Sequence, residues 1–121
     1  MRKWHQVLYG AFAVFWFAVG GLGVAGFASG TADEVHQSRE LGAFAVFLGW
    51  MHVWCLRHYE RRLPVHAGLV LFAALLSGIH WREWVVGART IVSPLVNSVP
   101  FVVLAAMLPS GKQQRPSPES T

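Results

Sequence analysis

VLYGAFAVFWFAVGGLGVAGFA, residues 7–28, contains no charged side chain, and this stretch decides the fold. At about 1.5 Å rise per residue, a helix of this length crosses the roughly 30 Å hydrocarbon core of a bilayer. Three more apolar runs follow, at Leu41–Leu56, Val65–Ile79 and Val85–Leu108. Because backbone in lipid must satisfy its own hydrogen bonds, each run predicts a helix. We expect an all-α fold, a four-transmembrane-helix bundle over residues 1–109.

The composition favours the same class of protein. Apolar residues make up 54% of the 121 residues and charged residues only 13%, against about 25% in soluble domains. The net charge of +4 does not indicate a nucleic-acid partner, because the basic residues are spread over short segments between the runs. The chain also has no room for a separate soluble catalytic domain. The lipid bilayer is therefore the predicted partner.

The first run could also be a cleaved signal peptide. Arg2 and Lys3 supply a basic start, and Ala28-Ser29-Gly30 resembles a small-residue cleavage site. The run is longer than the usual apolar region of about 7–15 residues and is rich in glycine. These two properties favour a first helix that is retained.

The distribution of Lys and Arg predicts the orientation. One side carries seven of them, Arg2, Lys3, Arg57, Arg61, Arg62, Lys112 and Arg115, and the other carries three, Arg39, Arg82 and Arg89. By the positive-inside rule both termini are expected in the cytoplasm of a protein of the bacterial inner membrane. The segment His80–Trp84 then faces outward, and Arg82 and Arg89 are expected in the third loop. Pro94 and Pro100 predict a kinked fourth helix, and the Pro- and Ser-rich residues 110–121 predict a disordered tail.

Small residues at helical spacing predict the packing faces. Gly42, Ala45, Gly49 and His52 fall on one side of the second helix, so His52 is expected to point into the bundle. In the first helix, alanines 11, 18 and 25 recur every seven residues and predict its packing seam.

The histidines His52 and His66 form a candidate inner pair, about one turn inside the cytoplasmic boundary. Three functional roles are considered for this pair. The histidines could ligate a b-type haem, form a zinc or copper site completed by His58, or act as a proton relay or quinone contact. Histidines that hydrogen-bond neighbouring helices together are the structural alternative. We predict no cofactor and no metal, with haem or quinone as the alternatives.

A second set of polar residues is expected at the outer surface. It could form a shallow pocket for a lipid, quinone or other amphipathic ligand, with Arg89 meeting an anionic group and Asn97 and Ser93 supplying hydrogen bonds. Solvated ion pairs in an interfacial loop are the alternative. The predicted ligand-binding residues are Glu40, Ser77, His80, Glu83, Arg89, Ser93 and Asn97.

No catalytic motif accompanies these clusters. The sequence has no HExxH, no phosphate-binding loop and no plausible Ser/His/Asp set, and its one cysteine, Cys55, is expected to be an ordinary apolar helix residue. An enzyme is not expected. The predicted function is a ligand-binding or accessory membrane subunit, with a homo-oligomer or a larger membrane complex as its candidate assembly. Alternatives are an oligomeric transporter or channel, a proton-relay component, or a redox protein linked to haem or quinone.

The layout resembles the DoxX-like small bacterial four-helix membrane proteins. The residues that carry the resemblance are Arg39-Glu40-Leu41-Gly42 at the second helix, and Gly78, Gly87, Arg89 and Ser93-Pro94 before the fourth. The resemblance spans most of residues 7–108. It implies a four-helix membrane fold and, for some members, a link to quinone or redox chemistry, and it assigns no residue a catalytic role.

Overall fold

A computed structural model describes residues 2–26 and 29–110 of the chain. These residues form four α-helices, α1 (Lys3–Ala25), α2 (Ala32–Arg57), α3 (Leu63–Val85) and α4 (Val92–Ala106), with a short 3-10 helix at Tyr59–Arg61. No strand occurs in either described range, so the all-α prediction is confirmed. The predicted disordered tail lies outside the described residues from position 111 onward. The predicted kink in α4, which contains Pro100, stays a prediction.

Helix α2 begins at Ala32, well before the predicted start at Leu41, because a capping box precedes it. The Thr31 hydroxyl accepts a hydrogen bond from the Glu34 amide, and the Glu34 carboxylate accepts one from the Thr31 amide at 2.7 Å. Asp33 and Glu34 also place negative charge at the positive end of the helix. The apolar run therefore marks only the later part of α2.

Helix α3 continues to Val85, past the predicted apolar run that ends at Ile79, so the prediction that Arg82 lies in a loop was wrong. The helix ends in a Schellman motif, in which the Ala88 amide donates to the Glu83 carbonyl and the Gly87 amide to the Trp84 carbonyl. Gly87 has φ +76°, which a glycine adopts without strain. The end of α3 is thus fixed by a glycine and not by the polarity of the residues before it.

The chain divides into two compact units, residues 2–65 and residues 66–110. In the first unit, α1 and α2 form an antiparallel hairpin whose backbones touch at glycines. A Cβ atom placed on Gly42 would lie 2.6 Å from the Val24 nitrogen and 2.8 Å from the Gly20 oxygen. Such a close approach is typical of small residues at helix crossings in membranes.

The buried side of α1 differs from the predicted seam. Its buried residues are His5, Tyr9, Ala13 and Gly20, whereas alanines 11, 18 and 25 are exposed. The prediction was wrong because a seven-residue repeat identifies small residues without fixing which side of the helix meets its neighbour. The glycines decide this, since they allow the shorter interhelical distance.

Two helices, α1 and α3, are long and apolar enough to cross a membrane. Only 17% of the most apolar stretch of α1 and 22% of that of α3 are buried, whereas the core helix of a soluble protein would be mostly buried. Helix α4 is apolar but has 15 residues, about 22 Å at 1.5 Å per residue. Helix α2, with 26 residues, is long enough but not as apolar as these two helices, and its first two turns are polar.

Candidate functional site

Polar side chains of α3 and α4 meet in the second unit, at the end where α3 finishes and α4 begins. A hydrogen bond of 2.8 Å joins His80 Nδ1 to the Ser93 hydroxyl, and Asn97 Nδ2 donates to the Ser93 carbonyl, also at 2.8 Å. The reversal of the chain at Gly87 allows this approach. Six of the predicted ligand-binding residues belong to this unit, and we call them the α3–α4 site. They are Ser77, His80, Glu83, Arg89, Ser93 and Asn97.

Ser98 joins the two helices deeper in the same unit, and the sequence analysis did not identify it. Its hydroxyl oxygen lies 2.6 Å from that of Ser77 and accepts a hydrogen bond from the Trp81 indole at 2.9 Å. It also donates to the Pro94 carbonyl one turn back. Its position one turn after Pro94 was the sequence feature that could have indicated this contact. With these bonds Ser77 is part of a helix contact, which is the structural role of a polar residue in an apolar helix.

The charges of the site are only loosely paired. Glu83 Oε2 lies 3.5 Å from Arg89 Nε and 3.7 Å from His80 Nδ1. This oxygen is buried, and none of the described residues gives it a hydrogen bond. The Arg89 side chain is 62% exposed. An exposed guanidinium that is only loosely paired can bind the anionic group of a ligand.

The arrangement does not resemble a hydrolytic triad. Ser93 and Glu83 both approach the same ring nitrogen of His80, Nδ1. In a triad the nucleophile and the orienting carboxylate occupy opposite nitrogens, so that the imidazole can pass a proton from one to the other. The α3–α4 site therefore offers hydrogen bonds and charge, and not an activated nucleophile.

Glu40 is the one predicted ligand-binding residue that belongs to the first unit. It lies in α2, in the first unit, where its carboxylate is 3.2 Å from His36 Nε2 one turn away. Both side chains are exposed, so this pair contributes little to stability. The sequence analysis grouped Glu40 with the residues of the outer surface, just before the apolar run that begins at Leu41. Because α2 begins at Ala32, Glu40 lies within this helix.

The two inner histidines belong to different units, His52 to the first and His66 to the second. Both are buried. His66 Nε2 lies 2.8 Å from the Leu104 carbonyl, near the end of α4. Since a carbonyl only accepts, Nε2 carries the proton and is not available as a metal ligand while this bond lasts. The last carbonyls of a helix have no amide donor within the helix, and this bond satisfies one of them.

His52 belongs to a buried polar group of the first unit that the sequence analysis largely missed. Its Nδ1 donates to the Leu48 carbonyl at 2.8 Å, and its ring lies against Tyr9 and Phe12. Tyr9 and Cys55 are fully buried. The Tyr9 hydroxyl is hydrogen-bonded to the Cys55 thiol and to the Arg62 guanidinium. Two spacings in the sequence could have indicated this group: Tyr9 follows His5 by one turn, and Cys55 follows His52 by one turn.

Arg62 and Tyr59 close this polar group at the end of the hairpin. The Arg62 guanidinium carbon lies 3.6 Å from the centre of the Tyr59 ring, and its Nη1 donates to the Tyr59 carbonyl at 2.8 Å. The Tyr59 hydroxyl is hydrogen-bonded to His5 Nδ1, which joins the start of α1 to the segment after α2. No carboxylate pairs with Arg62 within the described residues. The cation is held by an aromatic face and by neutral acceptors.

No protein-family model, curated protein or solved structure matches this chain. The DoxX-like resemblance therefore stays a prediction.

Proposed function

We propose that the chain is a small integral membrane protein that binds an amphipathic anion at the α3–α4 site. The observation that carries the proposal is the exposed guanidinium of Arg89, whose ion-pair partner Glu83 lies 3.5 Å away and therefore holds it only loosely. A carboxylate or phosphate head group suits this guanidinium. Trp81 and Trp84, in edge contact next to the site, suit the interfacial level of a bilayer.

The membrane location draws support from the surfaces of α1 and α3. Both helices have the length and hydropathy of spans, and large apolar side chains such as Val14, Leu71 and Leu75 are more than 60% exposed. In water such surface would be costly, whereas lipid covers it without loss. The proposed topology has four spans with both termini in the cytoplasm.

Cysteine labelling tests that topology. In a Cys55→Ala background, Ala88→Cys should react with a membrane-impermeant maleimide added to intact cells, and Glu60→Cys should react only after the cells are opened. Residue 60 lies among the basic residues expected in the cytoplasm, and residue 88 lies in the turn after α3. Labelling of both positions from outside would contradict the topology.

Binding of a fluorescent fatty acid tests the ligand site. We expect 11-(dansylamino)undecanoate to bind the detergent-solubilised protein, and Arg89→Ala to raise its Kd by at least tenfold. The reason is that a charge-assisted hydrogen bond contributes about 1.5–3 kcal/mol. Asn97→Ala should weaken binding less, because its amide holds the Ser93 backbone.

Arg82→Ala is the matched control for this measurement. Arg82 is exposed near the end of α3, seven residues before Arg89, and it forms no ion pair within the described residues. Its loss should therefore change the Kd less than threefold. Equal losses in the two arginine variants would mean that the probe responds to overall charge, and the ligand site would be rejected.

An accessory role in an assembly is the second candidate, and one observation favours it. Gly10 and Gly21 of α1, and Gly68 and Gly78 of α3, have no protein atom near the position of a Cβ. Small residues on exposed apolar faces are typical of helices that associate in lipid. A homo-oligomer, including the transporter or proton-relay alternatives, would use these faces. For the haem alternative, His66 would have to give up its bond to Leu104 or use Nδ1.

A further inference from the structure

The open end of the α1–α2 hairpin, where α1 begins and α2 ends, is strongly basic. It carries five cationic residues, Arg2, Lys3, Arg57, Arg61 and Arg62, against the single carboxylate of Glu60. The opposite end, around the turn, carries the carboxylates of Asp33, Glu34 and Glu40 against the single cation of Arg39. The hairpin therefore has a positive and a negative end.

The fold, and not the sequence order, gathers these cations. The first two precede the others by more than fifty residues, and the hydrogen bond between His5 and Tyr59 brings the two segments to one end. Scattered basic residues thus become one surface. We call Arg2, Lys3, Arg57 and Arg61, all of them exposed, the basic rim.

An apolar aromatic surface borders the basic rim. Trp4 is 76% exposed and Val7 60% exposed, directly after the first two cations of the rim. On α2, the Trp54 ring stacks on His58 with 4.7 Å between ring centres. Cations beside exposed aromatic and aliphatic groups match the two parts of a phospholipid, the charged head group and the start of the acyl chains.

The positive charge of this end is not neutralised from within. Arg62, behind the rim, has a tyrosine ring and neutral acceptors as its described partners, and its Nε is buried with no hydrogen bond from the described residues. Glu60 is the one acidic residue between Arg57 and Arg62, and no ion pair joins it to either within the described part of the chain. The field of five cations therefore extends toward the surface.

We infer that the basic rim is a binding surface for the head groups of anionic phospholipids. The inference depends on the membrane location in the proposed function, but it concerns a different unit and a different ligand from the α3–α4 site. Juxtamembrane clusters of four or more Lys and Arg bind anionic leaflets, with a gain of about fivefold in affinity for each cation. Charge complementarity thus selects phosphatidylglycerol over phosphatidylcholine.

Titration of lipid into the purified full-length protein in a neutral detergent, followed by native mass spectrometry, tests the inference. The wild type should retain phosphatidylglycerol and not phosphatidylcholine. The double substitution Arg57→Gln and Arg61→Gln should raise the apparent Kd for phosphatidylglycerol roughly 25-fold, at about fivefold per cation. Raising the salt concentration should shrink this difference, because salt screens exposed charges.

The control is Arg39→Gln with Arg82→Gln, which removes the same net charge from outside the rim. Its Kd for phosphatidylglycerol should change less than threefold, and far-UV circular dichroism should show that both variants remain helical. Equal retention of the two lipids by the wild type, or equal losses in both double variants, would overturn the inference.

The dansyl fatty acid separates this inference from the proposed ligand site. If only the rim is wrong, the fatty acid still binds in a manner that depends on Arg89 while phosphatidylglycerol shows no preference. If only the α3–α4 site is wrong, the rim variants still lose phosphatidylglycerol. A chain that stays in solution without detergent and binds neither lipid would overturn both.

Discussion

Gly42→Ala should lower the free energy of unfolding by about 2–3 kcal/mol, because the new methyl group would meet backbone on three sides. The nearest atoms to the added Cβ are the Val24 nitrogen at 2.6 Å, the Gly20 oxygen and the Gly23 carbonyl carbon, both at 2.8 Å. Backbone atoms cannot rotate away as side chains do, so the two helices must move apart. Unfolding in mixed micelles of dodecyl maltoside and SDS, followed by circular dichroism, measures the change.

Gly21→Ala provides the control with the same chemical change on the other side of α1. No atom lies within 4 Å of its added Cβ, and alanine favours a helix over glycine by up to about 1 kcal/mol. We therefore expect an unchanged or slightly higher stability. If both variants were destabilised equally, the close contact of α1 with α2 through Gly42 would be contradicted.

Tyr9→Ala should be more damaging still, with an expected loss of about 3–5 kcal/mol in the free energy of unfolding. The side chain is fully buried, its ring lies against His52, and its hydroxyl is bonded to Arg62 and Cys55. Removing it leaves a cavity beside polar groups that have lost a partner. The same detergent unfolding assay measures the effect.

Two further substitutions separate the parts of this effect. Tyr9→Phe keeps the ring and should cost about 1–2 kcal/mol, the share of the hydroxyl. Phe15→Ala removes an aromatic ring from an exposed position of the same helix and should cost less than about 1 kcal/mol. A loss in Phe15→Ala as large as that in Tyr9→Ala would show that α1 does not pack through its Tyr9 side.

The helices could be predicted from the sequence because apolar runs and helix length are linked by the physics of burial, but their ends could not. Thr31 and Glu34 extend α2 through two polar turns, and Gly87 extends α3 past a polar segment. Both ends are set by local hydrogen bonds that hydropathy does not register. The same local signals, an S/T-x-x-E pattern and a glycine after a helix, were present in the sequence.

Most of the α3–α4 site could be predicted because helical spacing limits which residues can meet. Ser77, His80, Ser93 and Asn97 recur at three- and four-residue steps, and the structure describes them within one unit. Glu40 could not be sorted in this way, since its place depends on where α2 begins. Whether these residues bind a ligand is a separate question that spacing does not answer.

The polar group of the first unit shows a different limit. Tyr9 and Cys55 lie inside apolar runs and look like ordinary members of them, and Arg62 looks like an ordinary loop cation. Their association depends on the antiparallel pairing of α1 with α2 and on the turn at Tyr59–Arg61. Such long-range pairing leaves no periodic trace along the chain.

The 15 residues of α4 have a consequence for the lipid around it. At about 22 Å, the helix falls short of a roughly 30 Å hydrocarbon layer. If it spans the membrane, either the bilayer is compressed beside it or the flanking segments are drawn inward. In that case the protein should partition into membranes of short-chain lipids in preference to thick, sterol-rich ones.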